Sequence, residues 1–298
     1  MAKRKKKKSL SGGAKAGIVL LILLIAAGLT WGLITFFDPS LSIRAREEAE
    51  RNLHKPKSTT ESFDETDVWT LSEEEMLSLS NVTYDQSMLL VNASHKLPAD
   101  FQADVAEYKD STVYMNRCIM DSYARLAARI RQDYDEPLYV SSAYRTRAEQ
   151  EQILREEPDV AQAVDASEHQ CGLALDVYVP QYAGAGFLRH DAGKFVNANA
   201  WEFGFIIRYP SYGEKETGIS FEPWHIRYVG APHAQYMMEN KVTLESYMEM
   251  LPADSFLKVG NYYVTRQSGD TYTLPKTWES SVISPDNCGG YVMTFYMG

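Results

Sequence analysis

Residues 16–37 form a run of 22 residues without a charge, rich in Leu, Ile and Ala. A stretch of roughly 20 apolar residues matches the hydrocarbon thickness of a bilayer, so this segment is predicted to be a transmembrane helix rather than part of a folded core. Seven basic residues precede Asp38 (Lys3, Arg4, Lys5, Lys6, Lys7, Lys8 and Lys15) and no acidic one does. That bias keeps a basic tail, residues 1–15, in the cytoplasm and places everything after residue 37 outside. A cleavable signal peptide is the competing reading, but its apolar core would be shorter and would end in a small-x-small cleavage site. Here the run closes on Trp31, Phe36, Phe37 and then Pro39, which suits an uncleaved anchor at the interface. No Cys near its end offers a lipoprotein cleavage site.

The net charge of −10 hides an asymmetry: once the seven basic residues are set aside, 23 basic face 40 acidic residues, a net −17. A nucleic-acid partner is therefore not expected for the main body, and the acidity serves solubility. With 298 residues and abundant Tyr and Trp, the chain can build one sizeable domain with appendages. Cysteines are few, Cys118, Cys171 and Cys288, and CxxC is absent. A disulfide scaffold and a thiolate zinc site both lack support; one disulfide plus a free thiol, or three buried thiols, stay open.

Residues 38–80 are polar and charged and read as a short helical extension followed by a flexible stalk, or else as a solvated helix packed on the domain. From residue 81 the patterns alternate. Residues 88–92, 138–143, 173–179, 205–207 and 224–229 have the short apolar runs of strands. Helical spacing covers residues 115–132, 146–157, 195–203, 231–240 and 244–251, with Pro137 and Pro158 as stops. After Pro252 strand-like runs at 256–266, 271–274 and 291–296 are separated by Gly and Pro turns. The expected architecture is α+β: an antiparallel sheet with helices packed around it in a domain spanning 81–252, an N-terminal transmembrane helix, and a small β-rich appendage at 253–298.

Two motifs carry chemistry. Ser167-Glu168-His169-Gln170-Cys171-Gly172-Leu173-Ala174-Leu175-Asp176 supplies a His and, seven residues on, an Asp. About fifty residues later Glu222-Pro223-Trp224-His225 supplies a second His with a Glu three residues before it. His169, Asp176 and His225 together make three nitrogen and oxygen ligands, which leave one corner of a zinc tetrahedron open, and a carboxylate beside that corner can serve as a base. Taken alone, each of the six histidines is more often a surface or satisfied core residue, and Asp176 could be a buried hydrogen-bonding carboxylate. The combination is what carries weight. Gly172 suits a tight turn or a close backbone approach. Glu222 and His225 cannot share a helix face across Pro223, and at extended spacing i and i+3 point to opposite faces. The site therefore requires Pro223 to bend the chain.

The full string Ser-x-His-x-x-Gly-x-Ala-x-Asp at 167–176, with Glu-Pro-Trp-His-x-Arg-Tyr-Val-Gly at 222–230, resembles the VanY-type D-alanyl-D-alanine carboxypeptidases. The wider group also holds lysostaphin-like peptidases and hedgehog signalling domains. Leu90-Val91-Asn92, Ser141-Ser142-Ala143-Tyr144-Arg145-Thr146, Trp201-Glu202-Phe203-Gly204-Phe205-Ile206, Arg208-Tyr209-Pro210 and Thr217-Gly218-Ile219 extend the resemblance over roughly residues 84–251, leaving the tail outside it. Val164-Asp165-Ala166 departs from it, because a Gly usually stands one or two positions before the Ser.

The resemblance implies one zinc ion on His169, Asp176 and His225, with Glu222 as general base. It implies that Arg145 holds the scissile carbonyl oxygen as charge develops there. Ser167 and Gln150 would meet the terminal D-Ala carboxylate or the adjoining peptide, with Tyr144 and Trp224 as further substrate-binding residues, Trp224 walling the site. Without it, Arg145 reads as an ion-pair partner, Gln150 and Ser167 as helix and turn residues, and Trp224 as core. Arg227 and His233 read as packing or support, and Cys171 as structural. The expected function is removal of the terminal D-Ala from peptidoglycan stem peptides outside the membrane, which also bears on glycopeptide antibiotics. An L,D-carboxypeptidase or endopeptidase would use the same residues. A wall-binding module without catalysis is the rival of a different class.

Overall fold

A computed structural model describes residues 12–53, 59–62, 67–159 and 161–298, with side chains from Leu20 onward. The basic cluster at 3–8 and His54 lie outside the described residues. Two compact units are present, one ending at Arg46 and one spanning Glu47–Gly298. In the first, Gly12–Phe37 is one helix whose window Leu20–Phe37 has a mean hydropathy of 2.4 and is long and apolar enough to cross a membrane. Pro39–Leu53 is also helical.

The second unit is built on two larger sheets. One has four antiparallel strands in the order Tyr139–Ser142, Ala174–Tyr178, His225–Tyr228, Phe205–Ile207. Leu175, Val177 and Ile226 point from it into a core with Leu126, Ile130, Phe187, Val196 and Phe205. The helix Met120–Tyr134 and the helix Asp191–Asn199 supply that second layer. Helical spacing from residue 115 predicted one helix; Tyr114–Asn116 is instead a strand paired with Val105–Glu107. The Asn116 side chain accepts from Cys118 N and caps the turn that leads into the helix, so the chain is still extended at Met115.

The other sheet corrects the reading of residues 38–80 as a stalk. Its six strands run in the order Thr59–Ser62, Ser255–Val259, Tyr262–Ser268, Gly290–Tyr296, Ser280–Pro285, Thr83–Tyr84. A separate ribbon pairs Val68–Ser72 with Thr271–Pro275. Thr59–Ser62 and Val68–Ser72, read as stalk, are therefore paired with the C-terminal strands, in a β unit whose core is Met76, Phe256, Tyr272, Leu274, Ile283, Met293 and Phe295. Thr59–Ser62 is a short, polar edge strand, and its partner lies nearly two hundred residues away, so no local pattern marks it. Ser280–Pro285 was likewise not anticipated.

Residues 88–92 are not a strand. The segment starts in a turn, and in place of a ladder its backbone meets side chains and a loop: Arg227 Nη2 donates to Ser87 O and Leu89 O, Ser284 Oγ accepts from Met88 N, and Leu90 N donates to Asp286 O. All three cysteines are free, and Cys288 is exposed, so neither a disulfide nor a trio of buried thiols is found.

Candidate metal and catalytic site

Asp176 and His225 are direct partners across the antiparallel ladder between their strands. Facing residues in such a pair stand side by side on one face of a sheet, which brings together two groups about fifty residues apart in sequence. His225 Nδ1 lies 3.0 Å from Asp176 Oδ1. His169 enters from the turn Glu168–Cys171, just before the strand that carries Asp176, and its Nε2 lies 3.4 Å from Asp176 Oδ2. Its Nδ1 meets Ala143 O at 2.9 Å, an orientation that leaves Nε2 for the cleft.

Gly172 ends that turn at a φ of 70°, and a Cβ there would sit 2.8 Å from Val105 Cγ1 and 2.9 Å from Asn116 N. Both reasons for a glycine, left-handed backbone and close approach, apply at this one position. Gly172→Ala is expected to lower stability by at least about 2 kcal/mol in urea denaturation, since the left-handed conformation alone costs about 1–2 kcal/mol. A midpoint equal to wild type would refute this.

The bend required at Pro223 is present. His225 N donates to Glu222 O at 3.2 Å, closing a β-turn with Pro223 at its second position, where a fixed φ favours the turn. The turn swings Glu222 back beside His225, with Oε2 3.7 Å from Nδ1. Burial raises the Glu222 pKa, although His225 and Arg145 pull it down.

Arg145 comes from the residue before the cap of helix Arg147–Glu156, where Thr146 and Glu149 form a capping box. Its N–H donates to His169 O, and Nη1 donates to Gln150 Oε1 at 2.8 Å. Gln150 is fully buried, and its Nε2 donates to Gln162 O at 2.7 Å. Both ends of that amide are engaged, so Gln150 steadies Arg145 and does not line the cleft. Tyr144 also stands aside, in a neighbouring groove along strand Tyr139–Ser142. Ser167, Trp224, Arg145, Glu222 and the three candidate ligands do share one cleft of about 290 Å³, together with Tyr209, a buried residue that no sequence motif singled out for the site. Its ring lies 4.9 Å from that of His225.

The donors fit a metal. One ligand atom from each of His169, Asp176 and His225 lies within 4.8 Å of the others, and the two separations to Asp176, 3.0 and 3.4 Å, lie at or just under the roughly 3.4 Å expected between ligands about 2.1 Å from a tetrahedral zinc. Among the described residues Asp176 Oδ1 is buried without a hydrogen-bond partner, His225 Nδ1 approaching it at 3.0 Å without hydrogen-bond geometry. The surroundings of His225 favour positive charge: burial opposes its protonation, yet Asp176 and Glu168 raise its pKa to about 9, whereas burial lowers that of His169; the two histidines hold the Asp176 carboxyl well below its usual range against burial. A divalent cation satisfies the same acids.

Glu168 was passed over in the sequence as the variable position of Ser-x-His. It is fully buried, and its Oε1 accepts from Arg208 Nε and Arg227 Nη1, each at 2.7 Å. Arg227, read as support, takes that role. The only signal for Glu168 in the sequence was an acid beside a ligand, with Arg208 and Arg227 far downstream.

Two buried histidines and a half-buried aspartate, with a glutamate and an arginine around them, at an antiparallel sheet, define a metallopeptidase-like site. Residues 112–231 match the family described as VanY, D-alanyl-D-alanine carboxypeptidase. A D-alanyl-D-alanine carboxypeptidase of Enterococcus faecium is 27% identical over 94% of this chain and 95% of that protein. A bifunctional D-Ala-D-Ala dipeptidase and carboxypeptidase of Enterococcus gallinarum is 31% identical over 55% of this chain and 95% of that protein. Among solved structures, VanYB in complex with D-alanine-D-alanine aligns with a TM-score of 0.50 at 28% identity, covering 55% of this chain and 98% of that one. The chain belongs to the VanY family of D-alanyl-D-alanine carboxypeptidases. The similarity to the E. faecium enzyme leaves too little of the chain uncovered to omit the tail after Pro252, which the motifs alone had placed outside it.

Proposed function

We propose that this protein is a membrane-anchored zinc carboxypeptidase that removes the terminal D-Ala from peptidoglycan stem peptides. The observation that carries the reading is the convergence of His169, Asp176, His225, Glu222 and Arg145 on one cleft. His169, Asp176 and His225 would hold a single zinc ion, which when bound would supply Lewis-acid polarisation of the scissile carbonyl and a more acidic water. Glu222, within reach of the same point and with a raised pKa, accepts the proton of the attacking water. It then delivers that proton to the departing amine as the C–N bond breaks, giving a shortened peptide carboxylate and free D-alanine. Arg145 donates to the carbonyl oxygen as charge develops on it, and the hydrogen bond from Arg145 to Gln150 limits its freedom. Ser167, buried at the cleft wall, serves the terminal carboxylate, and Trp224 bounds the pocket. The apolar helix Gly12–Phe37 anchors the chain with its N-terminus in the cytoplasm and the enzyme facing the wall polymer.

Incubating the protein with pentapeptide and tetrapeptide stems and weighing the products tests the reading. Loss of one alanine from the pentapeptide is expected. Trimming of the tetrapeptide alone would make it an L,D-carboxypeptidase, internal cleavage an endopeptidase, and no product a binding module. Arg145→Ala is expected to lower kcat about 10²–10³-fold, the range for a lost oxyanion donor. An effect confined to KM would reassign Arg145 to substrate binding.

A further inference from the structure

The ring of His225 faces two different carboxylates. Nδ1 points into the cleft beside Asp176, and Nε2 points the other way, to Glu168 Oε2 at 3.9 Å. Among the described residues neither Glu168 Oε2 nor His225 Nε2 has a hydrogen-bond partner, both are buried, and each is the charged or polar group the other faces. The other Glu168 oxygen is held between Arg208 and Arg227. Those guanidiniums are themselves tied down. Arg208 forks onto Glu245 through Nη1 at 2.9 Å and Nη2 at 2.5 Å, and Arg227 Nη2 donates to Ser87 O and Leu89 O, each at 2.8 Å. The backbone around those carbonyls is in turn fastened to the C-terminal β unit: Leu90 N donates to Asp286 O, and Asn287 Nδ2 to Leu90 O.

An imidazole that ligates through Nδ1 must carry its hydrogen on Nε2, and a fixed anion opposite Nε2 selects that tautomer and holds the ring plane. A buried carboxylate persists as an anion only with charged partners, and here two arginines supply them. We propose that Glu168 is a positioning residue for the metal site: clamped by Arg208 and Arg227, it holds His225 by Nε2 so that Nδ1 faces the ion. The proposal rests on the zinc carboxypeptidase reading above. It also gives the C-terminal β unit a task, bracing the segment that Arg227 grips.

The test uses the full chain in detergent micelles. Glu168→Asp keeps a charge for both arginines but draws it back from His225, and Glu168→Gln keeps the shape but removes the charge. Both are expected to raise the zinc Kd about 10–100-fold in chelator competition and to alter the visible spectrum of the cobalt(II) form, while metal-free Glu168→Asp melts cooperatively. Wild-type zinc affinity and cobalt spectrum in either folded variant would overturn the proposal. Should neither variant fold, nitrogen-15 histidine spectra of the zinc-loaded wild type decide: hydrogen on Nε2 of His225 supports it, and hydrogen on Nδ1 refutes it. A wild type that takes up no zinc would sink the enzymatic reading as well. Zinc uptake and alanine release by the wild type, with unaffected variants, would sink only the role of Glu168.

Discussion

Glu222→Gln is expected to lower kcat on pentapeptide stems by about 10²–10⁴-fold, the usual contribution of a positioned general base, while one zinc per chain is retained. The substitution leaves the turn through Pro223 intact, because the His225 N–H bond to Glu222 uses the backbone carbonyl. It also leaves the three candidate ligands untouched, since Glu222 reaches His225 Nδ1 only at 3.7 Å. What it removes is the group that can accept a proton: an amide of the same shape has no basic oxygen. The loss must therefore appear in kcat and kcat/KM together, with KM little changed. Metal content by atomic absorption and steady-state kinetics on one preparation separate the two effects. A variant within tenfold of wild-type turnover would remove Glu222 from the role of base.

The chemistry of the site was more legible in the sequence than its scaffold. His169, Asp176 and His225 stood out because few residue types bind zinc and their motif is compact. The requirement that Pro223 turn the chain followed from backbone sterics alone, and the turn is there. Local periodicity also located the site strands to within a residue or two, since their core faces are dense in Leu, Val and Ile. What stayed hidden depends on partners far apart in sequence. Glu168 looks like any acid in a turn until Arg208 and Arg227, on other segments, are folded against it. Gln150 occupied a helical turn where a substrate contact was plausible, and only the bonds to Arg145 and Gln162 show that its amide is spent. The strands Thr59–Ser62 and Val68–Ser72 are polar and short, and their pairing with the tail is invisible to any window of local sequence.

His225→Ala is expected to have the largest effect, because it removes a ligand and a buried ring at once. The imidazole lies edge-on to His169, with ring centroids 5.0 Å apart, and packs against Tyr209. Without it, Asp176 loses the imidazole nitrogen 3.0 Å from its Oδ1, and Glu168 Oε2 is left facing a void. Two remaining ligands do not make a closed zinc site, so stoichiometric binding and alanine release should both disappear. The consequence can be read without any activity assay. Wild-type protein with free zinc a thousandfold above its Kd gains about 4 kcal/mol of stability by mass action, and chelation should lower its melting temperature accordingly. In His225→Ala the melting temperature should be the same with zinc or with chelator, and lower than that of metal-free wild type because of the cavity. A variant that still melts higher in zinc than in chelator, with one ion per chain, would place the metal on a different set of residues and remove the structural basis for Glu222 and Arg145 acting where they stand.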